Sequence, residues 1–211
     1  MNHVVLLGDS IFDNGAYVEQ GQPDVIRQVR ARLPKGWRAS LLAVDGATTW
    51  DVESHLQNLP ADASHLVVSV GGNDALGEAH VLFEDVRSVA EALAKLSVVR
   101  EQFAADYRAM LDDVLEQQLP TAVCTIYDGR VGDETQQSVN VTALSMFNDT
   151  ITREAFRRGL PLIDLRLICN EARDYSNNIE PSQWGGEKLA AAIVNLVTWN
   201  GTAPGLMVFT S

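Results

Sequence analysis

Cysteine is scarce in this chain: Cys124 and Cys169 are the only two. One lies inside a strand-like run and the other just before a polar loop, so both thiols are expected to be buried and reduced rather than paired. Long apolar runs are missing as well. No stretch approaches the roughly 18 consecutive apolar residues of a membrane-spanning helix. Basic residues are outnumbered, 16 Lys and Arg against 28 Asp and Glu, and the net charge of −12 repels nucleic acid and anionic lipid alike. Neither is expected as a partner. Met1-Asn2-His3 runs straight into the first strand without a basic or separate apolar leader region, so export is not expected and a cytoplasmic location is. His, Cys, Asp and Glu show no metal-ligand spacing, and no Gly-x-Gly-x-x-Gly or Walker-type loop occurs. No metal, nucleotide or redox cofactor is therefore expected. What remains, 46% hydrophobic and 21% charged among 211 residues, is the make-up of one globular domain spanning residues 1–211.

The informative stretch is Val4-Val5-Leu6-Leu7-Gly8-Asp9-Ser10-Ile11. Four consecutive apolar residues and then Gly-Asp-Ser read as a strand buried on both faces, followed by an abrupt turn that leaves a hydroxyl at the strand's C-terminal end. In an open α/β sheet that is the end where ligands bind. Ser10 could equally be a turn or helix cap. Two further strand-like runs end in the same way. Leu41 to Val44 leads to Asp45-Gly46-Ala47-Thr48-Thr49, where the backbone N–H of Gly46 can approach a substrate oxygen with no side chain in the way. Leu66 to Val70 leads to Gly71-Gly72-Asn73-Asp74, which adds a side-chain amide. A hydroxyl, a backbone donor and an amide donor at three strand ends are the parts of an acyl-transfer site.

Strand and helix alternate along the rest of the chain. Pro23 to Leu33 has helical apolar spacing at Val25, Ile26, Val29 and Leu33. Trp37 to Val44 is the second strand, and Thr48 or Thr49 caps a helix through Leu56. His65 to Val70 is the third strand. Val81 to Gln118 reads as two helices, Ala122 to Tyr127 as the fourth strand, Asp128 to Gln137 as a polar loop and Val139 to Arg158 as a helix. Leu160 to Leu165 is the fifth strand and Pro181 to Val197 the last helix, whose Gly185-Gly186 pair permits close packing or a bend. Phe12 to Gln20 is expected to be a loop over the site, and Met207-Val208-Phe209 a small extra strand or a docked tail. The alternation predicts a three-layer α/β/α sandwich on a parallel five-stranded sheet in the flavodoxin-like order 2-1-3-4-5.

Gly8-Asp9-Ser10, Gly46 before Ala47-Thr48-Thr49, and Gly71-Gly72-Asn73-Asp74, in this order and at this spacing, resemble the first three blocks of the SGNH (GDSL-type) hydrolases. The resemblance runs to the last helix. It implies a serine hydrolase, esterase- or lipase-like, with Ser10 as nucleophile and Gly46 and Asn73 as oxyanion donors, acting on a small ester. The family's fourth block is Asp-x-x-His followed by Pro, and it supplies the base and its orienting acid. Here that stretch is Asn177-Asn178-Ile179-Glu180-Pro181, which puts Glu180 in the histidine's position and Asn177 in the aspartate's.

A buried glutamate can act as a base, with a second carboxyl such as Asp9 raising its pKa, and an Asn amide could orient it. Alternatively, Glu180 is a helix-terminus charge and Asn177 a turn residue. Among the four histidines, His3 and His65 begin strands and His55 belongs to a helix. Only His80 follows a strand's C-terminal end, so it is the recruited base if Glu180 is not. The competing function is a catalytically weak or inactive relative that binds an acylated or sugar ligand. The acyl and alcohol groups and the oligomeric state are not encoded in these motifs.

Overall fold

The computed structural model describes residues 2–199, beginning with a first strand that carries the whole sheet. Five parallel strands, β1 (Asn2–Gly8), β2 (Trp37–Leu41), β3 (His65–Ser69), β4 (Thr121–Cys124) and β5 (Leu162–Ile163), run in the order β2-β1-β3-β4-β5. Among the described residues, seven α-helices connect and flank them: α1 (Val25–Arg32), α2 (Val52–Leu56), α3 (Gly72–Gly77), α4 (Val89–Glu116), α5 (Glu134–Arg157), α6 (Leu165–Ile168) and α7 (Gln183–Val197). The expected α/β architecture and strand order are therefore observed.

Alternation along β1 distributes the core. Val4 and Leu6 pack with α1 and α7 on one face, while Val5 and Leu7 pack with α4 and α5 on the other. All four side chains are completely buried. Each contributes about 1.5–3 kcal/mol of transfer free energy, which is why an unbroken apolar run is required in a strand covered on both faces. Gly8 ends the strand with φ +124°, and a Cβ there would lie 1.7 Å from the Ser69 carbonyl oxygen. Only glycine lets β1 and β3 come this close just before Ser10.

Several boundaries differ from those expected, each for a local reason. β2 stops at Leu41 because the next two amides, of Leu42 and Ala43, both donate to the Leu6 carbonyl instead of continuing the ladder. β4 stops at Cys124; beyond it the Asn148 side chain from α5 accepts from Ile126 N–H at 2.7 Å and donates to the Ile126 carbonyl at 2.8 Å. β5 has two residues, since the Asp164 side chain accepts from Arg166 N–H and starts α6. Helix α5 begins at Glu134, earlier than Val139, because Asp133 caps it. The two helices expected over Val81 to Gln118 are a 3₁₀ segment, Ala79–Phe83, and one 28-residue helix, α4, started by a Ser88 cap. Neither glycine nor proline interrupts Val89–Glu116, so nothing in the sequence breaks α4. The last helix starts at Gln183 with Ser182 as cap, and Gly185 approaches the Asp174 carbonyl so closely that a Cβ would lie 2.2 Å from it. Cys124 and Cys169 are free and buried. The suggested strand at Met207-Val208-Phe209 lies outside the described residues.

Candidate active site

The segments following β1, β3 and β4 meet at the C-terminal edge of the sheet around a cavity of about 440 Å³ lined by Asp9, Ser10, Asn73 and Glu180. Directly after β1, the Asp9 carbonyl accepts from the N–H groups of Phe12 and Asp13, and its side chain accepts from Ile11 N–H at 3.1 Å. This tight turn aims the Ser10 hydroxyl at the fourth-block segment. Ser10 Oγ donates to Glu180 Oε1 at 3.1 Å, between residues 170 positions apart. Both side chains are buried, and Glu180 Oε2 is buried without a hydrogen-bond partner.

The Glu180 backbone is fastened from several directions. Its N–H donates to Asn177 Oδ1 at 2.8 Å, and its carbonyl accepts from Ser176 N–H at 2.9 Å. Tyr127 donates its hydroxyl to the neighbouring Ile179 carbonyl. The fully buried Asn14 donates to the Pro181 carbonyl at 3.0 Å and accepts from Val25 N–H at 2.9 Å. Asn14 thus ties the loop after Ser10 to the residue after Glu180. The sequence marks Phe12 to Gln20 only as a covering loop. A buried crosslink of this kind gives no periodic signal in the sequence.

Of the two readings of Asn177, orienter of the carboxylate or turn residue, the hydrogen bonds are those of a turn residue. Its Oδ1 accepts from the N–H groups of both Ile179 and Glu180, so it reaches the Glu180 backbone through an Asx turn. An exposed Asn followed by two free backbone donors satisfies them locally, and the oxygen is the atom that can do so.

On the opposite side of Ser10, Asn73 donates from Nδ2 to the Ala47 carbonyl at 2.9 Å. An amide nitrogen carries two hydrogens, so one remains for a ligand in the cavity. Thr49 reinforces this junction by donating Oγ1–H to Asp74 at 2.7 Å. Gly46 is exposed, has φ +82° and has nothing within 4 Å of where a Cβ would be; it lies outside the cavity wall, next to the Ala47 that Asn73 holds. His80 is exposed, with Nδ1 3.3 Å from the Gly77 carbonyl oxygen, and it does not line the cavity. His55 is buried in α2, and His3 bonds Ser40 and Asp62 at the start of β1.

Burial raises the pKa of Asp9 to about 8, reinforced by the charges of Glu180 and Asp74 and opposed by the Ile11 N–H. Burial also raises Glu180 above its ordinary value, against the Ser10 hydrogen bond, which favours the ionised form. Neighbouring carboxyl groups in a dry site compete for one negative charge. Among the described residues, no group of three or more His, Cys, Asp or Glu is gathered as a metal site, and no helix is long and apolar enough to cross a membrane.

Solved structures with the same fold include an extracellular lipase from Streptomyces rimosus, at TM-score 0.68 and 18% identity, with 92% of this chain and 98% of that one covered. Phospholipase A1 from Streptomyces albidoflavus aligns at TM-score 0.65 and 18% identity over 94% of this chain and 99% of the other. A lipase/acylhydrolase from Enterococcus faecalis aligns at TM-score 0.61 and 19% identity over 93% and 95%. No curated protein matches the sequence. At these identities the structural likeness speaks for the fold. The family model of the GDSL-like lipase/acylhydrolases matches residues 6–185, from within β1 to the start of α7 and through both Ser10 and Glu180, and the chain belongs to that family.

Proposed function

We propose that the protein is a serine hydrolase of ester bonds in which Ser10 is the nucleophile and Glu180 takes the base position that histidine holds in related enzymes. The observation that carries this reading is the Ser10 Oγ to Glu180 Oε1 hydrogen bond of 3.1 Å, within the reach a base needs. With Asp9 holding its proton near neutral pH, the negative charge of the site belongs to Glu180.

In the acylation step, Glu180 accepts the Ser10 proton as Oγ bonds to the ester carbon. The carbonyl oxygen becomes an oxyanion, which the second N–H of Asn73 stabilises. On collapse of the tetrahedral intermediate the bond to the alcohol oxygen breaks, and protonated Glu180 gives that oxygen its proton. Water then attacks the acyl-Ser10 ester as Glu180 takes its proton, the acyl carbon–Oγ bond breaks, and Glu180 returns the proton to Ser10 Oγ as the acid leaves. Asn177 acts at one remove, by fixing the Glu180 backbone. Two buried free thiols suit a reducing compartment, in keeping with a cytoplasmic location.

The test is hydrolysis of p-nitrophenyl butyrate by the wild type beside Ser10→Ala. Loss of at least about 10³-fold in kcat/KM is expected on removing a nucleophile. Equal rates would remove Ser10 from the mechanism and favour a ligand-binding relative.

A further inference from the structure

The cavity beside Ser10 is polar at its floor and mostly apolar along its walls, where Glu78, Gln136 and Asn140 are the polar exceptions. Its walls come from the 3₁₀ segment and from the N-terminal halves of α4 and α5, the parts of these helices that rise past the strand ends. In α4 the buried residues begin at Val99, and in α5 at Phe147. The preceding turns therefore carry apolar side chains that the core does not use. Leu82, Leu96 and Leu144 pack in neither core cluster, yet all three line the cavity. Apolar residues placed outside the core, around a hollow that ends on a nucleophile, are a surface waiting for an apolar ligand group.

The hollow does not stop at that wall. Leu82, Leu96, Ala143 and Met146 line both the 440 Å³ cavity and a second hollow of about 580 Å³ farther out between α4 and α5. The outer hollow adds Leu93 and Val139, which are 60% and 42% exposed, among polar residues such as Ser97, Thr135 and Ser138. A single acetyl group would leave nearly all of this surface wet. Resting on the hydrolase reading above, we infer that the substrate is an ester of a linear, medium-length acyl chain, which extends from Ser10 between α4 and α5 and past Ala143. The chain belongs to the acyl side because the leaving oxygen must stay beside Glu180, at the polar floor.

The experiment compares kcat/KM for p-nitrophenyl acetate, butyrate, hexanoate and octanoate. Each added methylene should raise it about fourfold, the equivalent of about 0.8 kcal/mol of burial, until the cavity is filled. A flat or falling series overturns the inference while leaving the hydrolase reading intact. So does a rise confined to acetate esters of hexanol and octanol, which would assign the cavity to the alcohol. In Ala143→Trp the indole blocks the passage between the two hollows, and the octanoate-to-acetate ratio should fall at least about tenfold. An unchanged ratio in a folded variant contradicts the route past Ala143, and Ala143→Leu serves where Trp is not tolerated. If the wild type hydrolyses no ester, the hydrolase reading has failed, and calorimetry judges the cavity alone. Sodium octanoate should then bind at least about tenfold more tightly than sodium acetate, and equal affinities overturn the inference.

Discussion

Ser10 and Glu180 come from opposite ends of the chain and share one buried hydrogen bond, with the second Glu180 oxygen left unpartnered beside it. A buried carboxylate with a free oxygen is costly unless it is used. On the proposed mechanism that free oxygen serves the chemistry, and the N-terminus of α7 is already capped by the Ser182 side chain.

Asn73→Ala removes both the bond to Ala47 and the hydrogen offered to the oxyanion. The expected loss is about 10²–10³-fold in kcat, because the donor acts on charge that develops in the transition state. Stability should fall by only about 1 kcal/mol, the worth of one half-buried hydrogen bond. Steady-state kinetics beside thermal melting separate the two effects, and a full loss of fold would refute the assignment.

Asn177 is useful through its oxygen. Asn177→Asp keeps that acceptor for the Ile179 and Glu180 amides and should retain kcat within about threefold, whereas Asn177→Ala should lower it about tenfold or more through a misplaced Glu180. The reverse order would mean that the amide donates to the carboxylate, the other reading the sequence left open.

Activity should rise with pH as Glu180 ionises. Burial holds its pKa above the ordinary carboxylate value, so the half-maximal point of kcat/KM should lie above the reference of about 4.3. A rate profile taken from acid to neutral pH checks this. A midpoint at or below the reference value would remove Glu180 as the titrating base.

Asp9 gives stability a pH dependence of its own. Its pKa is about 8 when folded against 3.8 for an unperturbed Asp, so between those limits the native state holds a proton that the unfolded chain has lost. Stability from this group is complete at the acid end and declines as pH rises toward 8, by up to about 1.4 kcal/mol per pH unit. Urea midpoints at pH 5 and pH 8 should therefore converge in Asp9→Asn. An unchanged slope in that variant would show that Asp9 ionises normally.

Much of this arrangement was legible in the sequence because it depends on local pattern. Four apolar residues before Gly8-Asp9-Ser10 marked both the first strand and the edge at which the hydroxyl emerges, and Gly-Gly before Asn73 marked the matching turn. Choices made only in three dimensions were not legible. Asn177-Asn178 carried a turn signal, but nothing local says that Asn148 ends β4 or that Asn14 joins two distant loops. The unbroken α4 was missed although its apolar spacing, Val89, Leu93, Leu96, Val99, Phe103 and Tyr107, runs on without a gap; only from Val99 onward do these residues enter the core.

The most direct measurement of the central claim is kcat/KM of Glu180→Gln on p-nitrophenyl butyrate at neutral pH, since the amide keeps the shape and loses the basicity. A fall of at least about 10²-fold in a variant that melts like the wild type is the expected result for loss of a general base. Activity within about threefold of the wild type would contradict it, and a matching loss in His80→Ala would transfer the role to that histidine.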